Sequence, residues 1–416
     1  MKWAKDLFPI DRSLTGAGTL KTFKYIKNIN PNFKLKFFNS KEKVFDWMIP
    51  LEWNVKKAYI ITPSGKIICN YDENNLHLVN YSTKVNKIIS YNQLKKKIHF
   101  IKEKPSAIPY VTSYYKKTWG FCISFNEFKK LTKKGNYQVV IETNFKKGKM
   151  GYLEYLIPGK SKKEILISTY SCHPSMANNE LSGPLILIYL SLILSKSYYS
   201  IRFLIAPETI GSIAYISKNF KKLKENMIAG YNLSCLAKGK KISLIESRRK
   251  NLYPEEIFKR VFKKREYKIF NFKHRGSNER QFDCQNVNLP LVTLTRDRFE
   301  DFPEYHTSLD NLDILSIKNL KQGINKILKI INEIQNNKIY VKTTYCEPFL
   351  SKYNLYNSKN FFHSSKYKKN KRLLDLIAYC DKDIDTKQLR KLSNLNYRDF
   401  TNTVNILLRK KIIKQL

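Results

Sequence analysis

Between residues 137 and 340, short apolar runs alternate with longer stretches in which apolar residues recur every three or four positions. The short runs, at 139–143, 153–157, 165–170, 201–205, 229–235 and 291–295, predict strands. The longer ones, at 183–196, 211–225, 254–265 and 316–336, predict helices. Strands separated by helical patterns predict an α/β fold: a mixed, mostly parallel sheet with helices on both faces. Residues 1–30 read as a helix with an apolar face (Leu7, Leu20, Phe23, Ile26), broken by a loop at 13–18. Residues 45–140 follow a different rhythm. Alternating runs at 58–61 and 66–69 flank Pro63-Ser64-Gly65, a hairpin signature, and predict a small, mostly β module. At the other end, helical patterns at 372–379, 386–393 and 397–409, joined by brief turns, predict a helix-turn-helix or winged-helix unit.

Composition narrows the functional classes. With 42% apolar and 13% aromatic residues the chain buries a large core, which excludes a wholly disordered protein. The net charge of +43 attracts anions, nucleic acid included. Its lysines are nevertheless spread over the whole length, and the last helix offers no arginine cluster for base readout, so nucleic acid is not the expected partner. Seven cysteines without a C-x-x-C pair favour reduced thiols. The amino terminus has no apolar core of the signal-peptide kind, and the longest apolar run, at 184–194, is too short to span a bilayer. A cytoplasmic protein without a membrane partner is expected.

Chemistry concentrates where strands end. The run at 165–170 stops at His173, and Pro174 halts it; Glu180 follows seven residues later. A second apolar strand closes on Glu208, within Ala206-Pro207-Glu208-Thr209-Ile210-Gly211. His306 lies in the loop after the last predicted strand, within Tyr305-His306-Thr307-Ser308-Leu309-Asp310. In open α/β sheets ligands bind beyond the carboxyl ends of the strands, so His173, Glu208 and His306 are expected to meet at one edge. Glu180 has two readings at this point. It joins His173 on a metal, or it caps the helix beginning near Gly183.

These motifs, with Leu181-Ser182-Gly183, resemble the co-catalytic zinc aminopeptidase superfamily. They are closest to its uncharacterised aminopeptidase-like branch, associated with polysaccharide biosynthesis. The resemblance implies a zinc-exopeptidase-like domain over 1–45 and 141–345, a small inserted domain at 46–140, a linker at 346–370 and a winged-helix module at 371–416. It also implies that His173 and His306 are metal ligands and that Glu208 is the general base. Three positions depart from the family pattern. Thr209 stands where a second glutamate ligates zinc, Asn179 where an aspartate bridges two ions, and Ser234 where another aspartate is expected. The set that remains, His173, Glu180 and His306, has the ligand count of a single catalytic zinc with an open water position.

Arg275 and Arg280 fall where the family has a substrate-facing loop, and either guanidinium could clamp an anion. The aromatic stretch around Tyr110, Tyr114 and Tyr115 reads as a lid over the site or as core of the small module. The expected activity is hydrolysis of an amide in a small peptide, an aminoacyl group or an amide-decorated sugar, with one zinc ion per chain. The alternative is a degenerate peptidase fold serving as a binding or scaffold protein in glycan assembly. The C-terminal module is expected to contact a protein partner or a second copy of the chain.

Overall fold

The structure is a computed structural model that describes residues 1–299, 301–355 and 365–416. Its centre is an eight-stranded sheet. In spatial order the strands are Lys34–Asn39, Lys149–Ile157, Tyr199–Ala206, Ser161–Tyr170, Met227–Leu233, Leu291–Thr295, Ile242–Ile245 and Tyr267–Phe270. The strand that leads to His173 is central and parallel to both neighbours, pairing Ile167 with Phe203 on one side and with Tyr231 on the other. Met227–Leu233 and Leu291–Thr295 continue the parallel block, while the outer pairings include antiparallel ones. The sheet is therefore mixed with a parallel heart.

Side chains alternate across a strand, and each face buries its own layer. Ile165, Ile167, Ile201, Phe203 and Ile205 face the helices Ser182–Ile193 and Ile317–Asn336, meeting Ile186, Leu187, Leu190, Ile327, Ile330, Ile331 and Ile334. The intervening residues Leu166, Leu204 and Ala206 face the helix Ile210–Asn226, through Ile213, Ala214, Tyr215 and Ile216. Arg202, a charge inside an apolar strand, is neutralised by Glu154 and Glu164 at 2.5 Å each. A buried cation is tolerated on such terms.

Two departures from the sequence reading have a physical cause. The run at 139–143 belongs to Asn136–Lys146, which leaves the main sheet and pairs with Glu52–Ile61 and Val85–Ser90 in a separate antiparallel sheet. Pattern reports that a segment is a strand, not which sheet it joins. The strands Lys34–Asn39 and Tyr267–Phe270 were not predicted because they are the sheet's edges, where lysines interrupt short apolar runs and most side chains are exposed or half-buried. The hairpin at Pro63-Ser64-Gly65 closes as the residues dictate, with Thr62 N–H donating to the Lys66 carbonyl and Gly65 at φ 83°.

Near the C-terminus, helices Ser365–Ala378, Thr386–Leu392 and Tyr397–Arg409 share a small core with a ribbon formed by Tyr340–Lys342 and Ile413–Gln415. Asp385 caps the middle helix and pairs with Arg260 at 2.6 Å, fastening this unit to the main domain. Of the segment expected to be a linker, 356–364 lies outside the described residues.

Candidate active site

The strand Ser161–Tyr170 and its neighbour Tyr199–Ala206 both run out at the same edge of the sheet, bringing the loops that carry His173 and Glu208 together. His173 is 3% exposed. Its Nδ1 lies 2.9 Å from Glu180 Oε2, and the same oxygen accepts the His173 backbone N–H at 3.1 Å. Its Nε2 lies 3.7 Å from Glu208 Oε2. The His306 ring comes within 5.3 Å of the His173 ring, centroid to centroid. His173, Glu208 and His306 thus meet at one edge.

Glu180 is fully buried and ion-paired to Arg12, also fully buried, at 3.2 Å. Arg12 also donates to the carbonyls of His173 at 3.0 Å and Leu7 at 2.5 Å. Glu180 therefore does not cap the helix Ser182–Ile193, whose N-cap is Leu181. Its carboxylate is divided between a guanidinium and the far nitrogen of His173. A carboxylate on one imidazole nitrogen fixes the tautomer and aims the other nitrogen outward. Sequence reasoning passed over Arg12, which sits in a loop 161 residues away from His173 and shows no periodicity that could mark it.

The second histidine is held by strain and stacking. His306 adopts a left-handed φ of 53°, and Tyr305 stacks on its ring at 3.9 Å. Such a conformation costs a non-glycine residue about 1–3 kcal/mol and persists only where surroundings impose it. Asp310 supplies part of that imposition. It accepts the backbone N–H groups of Asn178 at 2.6 Å, Asn179 at 2.9 Å and Ala177 at 3.2 Å, tying the His306 loop to the His173 loop. His306 Nε2 is buried with no hydrogen-bond partner. Burial, and then the neighbouring His173, hold the His306 pKa down to about 3, so its ring is neutral and keeps a free lone pair.

Glu208 sits on a strained elbow: Thr209, next along, has φ 63°, and its N–H donates to Asn278 Oδ1 at 3.1 Å. One Glu208 oxygen accepts Ser277 Oγ–H at 2.6 Å, and Ser277 is held in turn by Asn232 at 3.1 Å. Burial raises the Glu208 pKa above the ordinary carboxylate value, with His173 opposing. Burial also disfavours a charged His173, but Cys172 and Glu180 outweigh it and raise its pKa well above that of an ordinary histidine.

The positions where the resemblance expects metal carboxylates hold neutral groups. Tyr170 OH lies 2.6 Å from Ser234 Oγ and 3.3 Å from Asn179 Oδ1, and Thr209 Oγ1 accepts from Arg280 at 2.6 Å. A pair of zinc ions finds no carboxylates there to balance four positive charges, so a two-ion site does not fit these residues. Among the described residues, one group of three ligand-type side chains has its ligand atoms within 4.8 Å of one another: Cys172, His173 and Glu180. It lies on the Nδ1 side, beside the Arg12 cation. On the other side His173 Nε2 lies 3.7 Å from Glu208 Oε2, and the His306 ring, with its unpartnered Nε2, stands 5.3 Å from the His173 ring, a looser arrangement than that group of three.

Tyr110 roofs this cleft. Its ring meets His173 edge-on at 5.4 Å and His306 edge-on at 5.2 Å. Its N–H donates to the His306 carbonyl at 2.8 Å, and Pro109 forms a β-bridge with Thr307. Of the aromatic stretch, Tyr110 is the residue that packs against the two histidines, while Tyr114 and Tyr115 are 47% and 51% exposed. Arg280 lies by Thr209 at the cleft. Arg275 is exposed and stacks over Phe272 at 5.0 Å, and no contact joins it to His173, Glu208 or His306. Gly183 admits no side chain, since a Cβ there would lie 2.1 Å from Thr169 Oγ1 and 2.5 Å from the Leu233 carbonyl.

The mixed α/β fold is consistent with the zinc-exopeptidase fold, and residues 1–337 match the family described as Domain of unknown function (DUF4910). The chain belongs to that family. Among its relatives is a Clostridium acetobutylicum protein assigned provisionally to polysaccharide biosynthesis, with an aminopeptidase-like domain. It is 40% identical over 360 residues, covering 85% of this chain and 81% of the relative. The crystal structure of a candidate peptidase from the same organism superposes with a TM-score of 0.79 at 34% identity, over 100% of this chain and 95% of the other. The zinc aminopeptidase BSAP of Bacillus subtilis superposes with a TM-score of 0.58 at 14% identity, over 80% of this chain and 94% of that one, a likeness of fold. Among the described residues no helix is long and apolar enough to cross a membrane, and all seven cysteines are free thiols.

Proposed function

We propose that the chain is a hydrolase of aminopeptidase-like fold that cleaves an amide bond in a small peptide-like, aminoacyl or amide-decorated sugar substrate, using one zinc ion. The observation that carries this reading is the buried His306 Nε2, without a hydrogen-bond partner, on a ring 5.3 Å from that of His173. His306 Nε2 and His173 Nε2 would hold the ion. Glu180 orients His173 rather than serving as the third ligand. When bound, zinc supplies Lewis acidity and lowers the pKa of a coordinated water towards neutrality. Glu208 Oε2 then accepts the proton of the attacking water and returns it to the leaving nitrogen, while Ser277 fixes the other oxygen. Tyr110 excludes bulk water from above, which strengthens every charge interaction inside.

A site with two protein nitrogens binds metal more weakly than one with three ligands. His173 must also lose its proton first, so affinity falls at low pH. The test is to titrate zinc into chelator-treated protein while following melting temperature and hydrolysis of aminoacyl-anilides and N-acylated sugars. Saturable stabilisation with zinc, together with activity that Glu208→Gln abolishes, supports the reading. No binding and no hydrolysis refute it.

One observation favours a second reading, a binding or scaffold protein in glycan assembly, the process for which the Clostridium acetobutylicum relative is named. Arg12 balances Glu180, and Arg280 stands near Glu208, so the cleft is close to neutral before any metal enters. A protonated His173 lying between Glu180 and Glu208 would need no ion at all. We further read the C-terminal unit as a winged helix that contacts protein, and the chain as cytoplasmic. Size-exclusion chromatography with and without residues 371–416 tests the first of these.

A further inference from the structure

Arg280 differs from the arginines around it. Arg12, Arg202, Arg249, Arg260 and Arg298 each pair with a carboxylate. Arg296, also buried, is satisfied by the carbonyls of Leu236 at 2.8 Å and Asn319 at 2.8 Å. Arg280 donates through Nη2 to Thr209 Oγ1 at 2.6 Å, its Nε is buried with no partner, and no carboxylate pairs with it among the described residues. Its partner is itself fixed, since Thr209 is locked at φ 63° and tied by its N–H to Asn278. The guanidinium is thus held in place at the cleft with donors to spare. Burial raises the pKa of Glu208, Tyr114 and Tyr305, and the Arg280 charge opposes that rise in each.

The buried, unpartnered Nε of Arg280 carries a cost that an anion accepting from it recovers. Arginine's planar fork suits carboxylate and phosphate oxygens, which it can grip through two parallel hydrogen bonds. Tyr114, from the small β module, and Tyr305, from the His306 loop, both feel its charge and offer aromatic surface. We propose that Arg280 is the specificity residue of the cleft, selecting small molecules that carry a carboxylate or phosphate, with Tyr114 and Tyr305 flanking the anion-bearing part. The proposal takes the cleft to be the substrate site, as in the reading above, but does not require hydrolysis.

Calorimetric titration of chelator-treated protein with glucuronate, glucose 6-phosphate and glucose tests it. At least one anionic sugar binds wild-type protein and glucose does not; the arm that binds tells carboxylate from phosphate. Arg280→Gln weakens that binding by roughly tenfold or more, about 1.4 kcal/mol, whereas Arg275→Gln leaves it unchanged. Arg280→Lys, which keeps the charge but not the fork, falls between the two, and an unchanged melting temperature shows that the variants are folded. Absence of binding by either anion up to about 20 mM, well above the ~1 mM scale of weak ligand sites, overturns the proposal. So does an Arg280→Gln protein that binds like wild type, or equal binding of glucose. Because binding is read without metal and without turnover, failure of the hydrolase reading leaves this test intact.

Discussion

The pairing of Arg12 with Glu180 makes a prediction that can be worked through from the coordinates. Both side chains are fully buried, and their charged atoms lie 3.2 Å apart. Replacing Glu180 by Gln removes the ion-pair partner of the buried Arg12 guanidinium, a loss of about 3–5 kcal/mol for a broken buried pair. Replacing Arg12 by Met strands the carboxylate in the same way and also removes the donors to the Leu7 and His173 carbonyls. The double variant carries no stranded charge. It should therefore be less destabilised than the sum of the two singles, by a coupling of about 2 kcal/mol, within the range found for residues in one buried network. Urea denaturation of the four proteins at neutral pH, followed by tryptophan fluorescence, measures each stability from its midpoint and slope. Additive losses, or a Glu180→Gln variant within about 0.5 kcal/mol of wild type, the range of an ordinary surface change, would refute the account of Glu180 as a charge spent on Arg12. The same variant separates the roles proposed for Glu180: an orienting carboxylate costs about 10–100-fold in metal affinity when altered, and a true ligand costs far more.

Three further outcomes are expected. Glu208→Gln should lower kcat by about 10²–10⁴-fold, the usual contribution of a positioned base, while zinc-dependent stabilisation persists; equal activity in the two proteins would remove Glu208 from the chemistry. Tyr110→Phe keeps the ring edge against both histidines and should behave like wild type in steady-state assays. Tyr110→Ala opens the roof and should raise KM, so identical kinetics for the alanine variant would show that the lid is idle. Gly183→Ala forces a Cβ to within 2.1 Å of Thr169 Oγ1 and should cost about 1–3 kcal/mol as an overpacked core change, read as a lowered melting temperature; an unchanged melting temperature would mean that the helix start has slack against the strands beneath it.

The sequence by itself determined the elements that reach the site and the order in which they come. Apolar runs of strand length followed by a histidine or glutamate located His173 and Glu208, because burial on both faces of a central strand demands an uninterrupted apolar run that ends where the chain meets the cleft. The loop bearing His306 was legible from its position after the last such run. Pairing partners were not legible. Whether Glu180 faced a metal, a helix end or an arginine depended on Arg12, which lies far away in the chain and reaches the site only after the amino-terminal segment packs against the sheet. Tyr110 belongs to the 46–140 module and meets both histidines only because Pro109 pairs with Thr307 across the fold. Arg280 and Arg275 lie five residues apart with equal claims on paper. Packing left one on the surface against Phe272 and set the other beside Thr209 with a donor unspent. Periodicity reports the solvent exposure of a local element, whereas the protonation, orientation and charge balance of a buried site are set by contacts that no local pattern encodes.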